Sequence, residues 1–175
     1  MNFQFHLPDM IDFNLYREWH AYENDLYQVF YHDFIANKTK IKSKNINIRK
    51  NPIMFGKEQA FFHITSKGFQ YDSDPNDRIP DLKRCERIRW IKYLIEYYNA
   101  HGECDEQLRY WEEDYNGNSR IHLLCEIEKF LVVIEERNDY CLFITSYYIE
   151  HEHQLQKKLK KYYRYKKQKT PRFFT

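Results

Sequence analysis

Apolar side chains recur along residues 17–35 at Trp19, Tyr22, Leu26, Val29, Phe30 and Phe34, with Glu18, Asp25 and Asp33 elsewhere in the stretch. Steps of three and four residues line one face of an α-helix, so this stretch is predicted as an N-terminal amphipathic helix. From Asn37 to Asn51 the chain is polar and basic, with Ile41, Ile46 and Ile48 set into it and Pro52 after it. An exposed or edge strand fits that pattern, because Lys and Arg on an outer face discourage further pairing. Ala60-Phe61-Phe62-His63-Ile64-Thr65-Ser66 is dense in β-formers and stops at Lys67-Gly68. It is predicted as a strand, with Phe62 and Ile64 on one face and Phe61, His63 and Thr65 on the other. Gln70 to Pro80, with two prolines and four Asp or Asn, is predicted as a loop.

Asp81 is placed to N-cap a helix running to about Asn99, whose apolar positions are Cys85, Ile88, Ile91, Leu94, Ile95 and Tyr98. Arg84 and Arg87 share the adjoining face, and His101-Gly102 ends the element. Beyond Gly102 the chain alternates like an antiparallel sheet: Leu108 to Tyr115, an Asn116-Gly117-Asn118 turn, Ile121 to Glu126, and Phe130 to Glu135. Arg137-Asn138-Asp139 then turns the chain into Tyr140 to Ser146, so the last two strands form a buried central hairpin. A helix from about Ile149 to Tyr165 closes the chain with Leu155 and Leu159 facing inward. The pattern describes an α+β fold: a central antiparallel sheet packed by an N-terminal helix, a mid-chain helix and a basic C-terminal helix. No repeat or linker divides it. Residues 1–175 read as one domain, with 1–53 as helix and basic strand, 54–156 as core and 157–175 as a basic end.

Composition changes this picture in three ways. There are 16 Tyr and 13 Phe against 4 Gly, so aromatic rings must supply much of the core, many with a hydroxyl at the rim. Four cysteines stand at 85, 104, 125 and 141 without a CxxC pair, which reads as buried thiols in a reducing compartment. No run approaches the 18 apolar residues of a membrane span, and Met1 to His6 lacks the character of a signal peptide. The expectation is a cytoplasmic protein with no membrane partner. Third, the net charge of +2 hides an asymmetry. Nine Lys or Arg and no acid follow position 156, whereas the rest of the chain holds 19 basic and all 26 acidic residues, a net of −7. A tail of this kind either binds nucleic acid or keeps the terminus solvated.

The candidate chemistry is narrow. Glycines at 56, 68, 102 and 117 are too scattered for a phosphate-binding loop, which removes P-loop nucleotide hydrolysis. His151-Glu152-His153 and His101-Gly102-Glu103-Cys104 lack a recognised zinc spacing, so no metal and no cofactor is expected. One set of segments stands out: Gly56-Lys57-Glu58 leading into Phe61 to Ser66; Arg84-Cys85-Glu86-Arg87-Ile88-Arg89-Trp90; Phe130-Leu131-Val132-Val133-Ile134; and Leu142-Phe143-Ile144-Thr145-Ser146-Tyr147. Across roughly Met54 to Tyr163, these resemble phage and mobile-element proteins of the barnase–EndoU–colicin–RelE (BECR) fold, whose members are largely metal-independent ribonucleases. The resemblance implies a toxin or phage-related ribonuclease, acting on RNA and held in check by a protein antitoxin or inhibitor.

Metal-free RNA cleavage uses the neighbouring 2′-hydroxyl as nucleophile, so the protein supplies a base, an acid and cations for the crowded phosphate. His63 is the candidate for proton transfer, since imidazole titrates near neutrality; the alternative is a satisfied structural histidine. Arg84 and Arg87, three residues apart on one helical face, are candidates for gripping the phosphate, or else pair with Glu86, Asp81 or acids across the sheet. Thr145 and Tyr147, near the end of a central strand, offer hydroxyls to a phosphate or base, or cap the strand. Lys57 and Lys67 flank the histidine segment and add charge or are simply solvated. Lys157, Lys160, Lys161 and Arg164 would hold flanking RNA electrostatically. The competing reading is a non-catalytic RNA-binding or phage accessory interaction protein, in which Tyr beside Lys and Arg stacks bases without cutting.

Overall fold

The computed structural model describes residues 4–67 and 79–170. Four successive strands owe their pairing to local turns. β5 (Arg109–Tyr115) and β6 (Asn118–Cys125) meet at Asn116 and Gly117, whose φ values of +49° and +81° give the tight hairpin turn that Asn-Gly favours. β7 (Phe130–Glu136) pairs antiparallel with β6 and with β8 (Cys141–Tyr148). Two short strands complete the sheet, β1 (Lys40–Ile41) and β2 (Lys44–Asn47), giving the order β1-β2-β8-β7-β6-β5. The fold is α+β, as the periodicity predicts.

One pairing departs from the antiparallel expectation: β2 runs parallel to β8, matching Ile46 to Cys141 and Asn47 to Leu142. The reason is non-local, since the two strands are separated by nearly a hundred residues and no turn links them. Beyond Leu142, β8 continues without β2, and there its register with β7 shifts: Ile134 faces Phe143 and Val133 faces Thr145. Ile144 is the extra residue of a β-bulge, a device that bends a strand and re-aims its side chains.

The helices cover both faces. α1 (Trp19–Phe30) buries Tyr22, Leu26 and Phe30, then widens into a π-helical turn over Tyr31–Ala36 that buries Phe34. Asp81 caps α3 (Leu82–Glu86), accepting from the backbone N–H of Lys83 and Arg84. The predicted mid-chain helix is two helices, because Arg87 (φ −99°, ψ 12°) leaves helical geometry before α4 (Ile88–His101) begins. Gly102, at φ +75°, ends α4 by donating its N–H to the Tyr98 carbonyl. α1, α4 and the inner face of the sheet enclose one core, containing Phe30, Ile91, Leu123, Val132 and Phe143. α5 (Glu152–Lys169) closes a second core on the opposite face, where Leu155, Leu159 and Tyr162 meet Trp111, Leu124, Leu131 and Val133.

The largest correction falls on Ala60 to Ser66. Gln59–Thr65 is not a strand but a seven-residue helix, α2, followed by the two-residue strand β3 (Ser66–Lys67) paired with β4 (Ile79–Pro80). Phe61 and Ile64 are fully buried and Ala60 and Phe62 nearly so, so the helix is apolar on most sides. A short run buried all round carries no periodicity to separate helix from strand. Its ends are satisfied: Gln59 and Ala60 donate to the carbonyls of Lys50 and Arg49, and Thr65 Oγ1 donates to the Phe61 carbonyl. The loop predicted over Gln70 to Pro80 lies outside the described residues except for Ile79–Pro80, which forms β4. No helix among the described residues is long and apolar enough to cross a membrane.

Candidate active site between helix α2 and the sheet

Where β2 stops pairing with β8, α2 lies beside the strand's unpaired edge and a cleft of about 260 Å³ opens between them. Gln59, Ala60 and His63 line it from α2, Phe143 and Ile144 from the bulged part of β8, Tyr115 and Arg120 from the β5–β6 hairpin, and Arg49 from the chain leaving β2. One turn of helix separates Gln59 from His63, so both reach the same face. Gln59 is buried and His63 is half-buried.

The sheet side is electrostatically built. Arg120 lies over the Tyr115 ring, its guanidinium carbon 3.3 Å from the ring centroid, and its Nε donates to Glu135 Oε2 at 3.1 Å. Glu135 is only 4% exposed. Its other carboxylate oxygen accepts from Arg137 Nη2 at 2.9 Å and Nε at 3.1 Å. Burial alone pushes the Glu135 carboxyl up, but hydrogen bonds from Arg120 and Arg137 outweigh that and hold it below the usual carboxylate range. The charged carboxylate fixes Arg120 in direction while the Tyr115 ring covers one guanidinium face. Such a pre-set fork presents its remaining N–H groups to an anion at little ordering cost.

The positions expected from the sequence fall into three places. His63 lines the cleft. Arg84 supports it from behind: Nη1 donates to the His63 carbonyl at 3.2 Å, Nε lies 3.4 Å from Asp81 Oδ2, and the guanidinium covers the Tyr147 ring at 5.6 Å. Arg87 turns away, donating to the Lys83 carbonyl and pairing with Glu86, with its guanidinium over Trp90 and Tyr148. Arg84 and Arg87 therefore do not line the cleft, because α3 ends between them and breaks their common helical face. Thr145 and Tyr147 share the α5 side of β8, where Thr145 faces Val133 and Tyr147 faces Leu131. Tyr147 lines a separate groove beside α5.

Among the lysines, Lys57 pairs with Glu23 at 3.7 Å and lies over Tyr27, while exposed Lys67 is 4.0 Å from Glu150. Lys157, Lys160, Lys161 and Arg164 are exposed on α5, with Lys161 bound to Glu113 at 2.8 Å. Sequence reasoning missed Arg49, Gln59, Tyr115, Arg120 and Glu135. A partial signal existed for Arg120, which alternates with buried His122 and Leu124 on the α5 face of β6. Among the described residues no group of three or more His, Cys, Asp or Glu side chains is placed to hold a metal ion. Comparisons with family models, with curated proteins and with solved structures find no match to this chain.

Proposed function

We infer that the protein is a metal-independent ribonuclease whose site is the cleft between α2 and the sheet. The observation that carries this reading is the gathering of one imidazole, two guanidiniums, a phenol and a buried amide around about 260 Å³. That is the inventory demanded by internal attack of a 2′-hydroxyl on its own phosphodiester. Arg120 and Arg49 hold the non-bridging phosphate oxygens. His63 removes the 2′-hydroxyl proton as the oxygen attacks phosphorus, and the Tyr115 hydroxyl protonates the departing 5′-oxygen. The products are a 2′,3′-cyclic phosphate and a free 5′-hydroxyl, so atoms and charge balance without a metal. The BECR resemblance across Met54 to Tyr163 adds to this reading, and a toxin or phage-related role, with a protein inhibitor as partner, comes from it by analogy alone.

The test is incubation of purified protein with total bacterial RNA in EDTA, beside His63→Ala and Arg120→Ala. Discrete cleavage by wild type, with cyclic-phosphate ends, is expected to fall at least about a hundredfold in either variant. Undiminished cleavage by both variants moves the site elsewhere. Intact RNA with wild type sinks the enzyme and leaves a binding module.

A further inference from the structure

A second concavity, of about 310 Å³, runs between the end of β8 and the start of α5, lined by Tyr147, Ile149, Gln154, Lys157, Lys158 and Lys161. Its floor is an aromatic ring and an aliphatic side chain, and its rim is three ammonium groups. None of these lining residues is acidic. Lys161 is already bound to Glu113, which leaves Lys157 and Lys158 as the principal charges facing solvent. Lys158 and Lys161 also act on His122 of β6, adding to burial in lowering its proton affinity while Glu113 opposes them. Tyr147 does not line the cleft, but Arg84 links it to α2. Arg84 covers its ring at 5.6 Å and donates to the backbone carbonyl of His63, so one guanidinium touches elements of both sites.

We propose that this groove is a second subsite, in which single-stranded RNA leaving the cleft stacks a base on Tyr147 and sets the adjoining phosphates against Lys157 and Lys158. An aromatic floor with a cationic rim is what a nucleotide recognises, because every base has a π-face and every linkage a negative charge. An acidic peptide matches the rim but has no use for the ring. The proposal rests on the cleft being the site of RNA cleavage, but its readout is independent of cleavage.

The probe is a fluorescein-labelled RNA of about 12 nucleotides with every 2′-hydroxyl methylated, which binds but cannot be cut. Anisotropy is measured against salt. Lys157→Gln with Lys158→Gln is expected to weaken binding about tenfold at low salt and to flatten the log–log salt slope by about 1.4, the value for two lost phosphate contacts. Tyr147→Ala loses about another tenfold, while Tyr147→Phe binds like wild type. A control pair on the β1 side of the molecule, Lys38→Gln with Lys40→Gln, leaves affinity in place. Equal loss in that control, or none in the Lys157 and Lys158 pair, overturns the subsite. Displacement of the probe by poly-glutamate, with the Tyr147 variants binding like wild type, assigns the groove to acidic peptides and overturns it too. Normal probe binding without cleavage of ordinary RNA removes the enzyme reading and leaves the groove standing.

Discussion

At the scale of single residues, two buried ionisable groups do opposite work. His122 is 5% exposed and stacks on Trp111 with centroids 4.7 Å apart. Its Nδ1 is 3.1 Å from the Arg120 carbonyl, which only accepts, so that nitrogen carries the proton and donates. Burial pushes the imidazole down from 6.5 to about 4, against the opposing pull of Glu113. The unfolded chain therefore takes up a proton that the folded one refuses. Stability is complete above about 6.5 and is lost as pH falls toward 4. Between pH 7 and pH 5 this one residue costs about 2 kcal/mol, read as a fall in urea midpoint that His122→Phe removes. Glu135 works the other way, kept charged by two arginines that still reach water. Glu135→Gln is expected to cost about 2 kcal/mol in urea unfolding and to slow cleavage about tenfold, because Arg120 loses the partner that aims it. A slowed enzyme with unchanged RNA affinity would mark Glu135 as a positioning residue.

At the scale of elements, α3 is the piece most dependent on a single side chain. Its five residues cannot sustain a helix alone, and Asp81 supplies the cap. Asp81→Ala is expected to remove about 1 kcal/mol, a drop of roughly 2–4 °C in Tm for a chain of this size, and to loosen Arg84 behind His63. The Asp81 cap was legible in the sequence because capping is a local pattern. So was the β5–β6 hairpin, since Asn116-Gly117 specifies its own turn, and so were β7 and β8, whose apolar runs are bounded by turn residues. α2 was not legible, because Phe61, Phe62 and Ile64 suit either a buried strand or a buried helix and only packing decides. The site suffered most from this. Arg49 and Arg120 lie 71 positions apart in the chain, and their shared cleft depends on β2 pairing parallel to β8 and then stopping. Imidazole chemistry singles out His63 as a candidate from the sequence, but on a segment that reads as a strand and folds as a helix. Helical spacing pairs Arg84 with Arg87 on one face, and that pairing fails because the helix breaks between them.

At the scale of the whole molecule, the basic C-terminal segment does not behave as a detachable tail. Its charges read as a nucleic-acid tether, yet α5 also supplies one side of the second core through Leu155, Leu159 and Tyr162. Burying these three side chains contributes about 5–8 kcal/mol, by the usual value for each fully buried apolar residue. Total stabilities of 5–15 kcal/mol are ordinary, so this share is decisive. Removing the chain from Glu150 onward would uncover Trp111, Leu124, Leu131 and Val133 together. The expected product binds a hydrophobic dye, loses near-UV dichroism and unfolds without a sharp transition. Neutralising the helix without deleting it has a different outcome. Changing Lys157, Lys160 and Arg164 to Gln leaves the inward face intact and should move Tm by no more than about 1 °C, because surface charges away from special contacts contribute little. RNA affinity and its salt dependence should fall in the same variant. A truncated protein that keeps a cooperative transition and loses only RNA affinity would show that α5 is a tether after all.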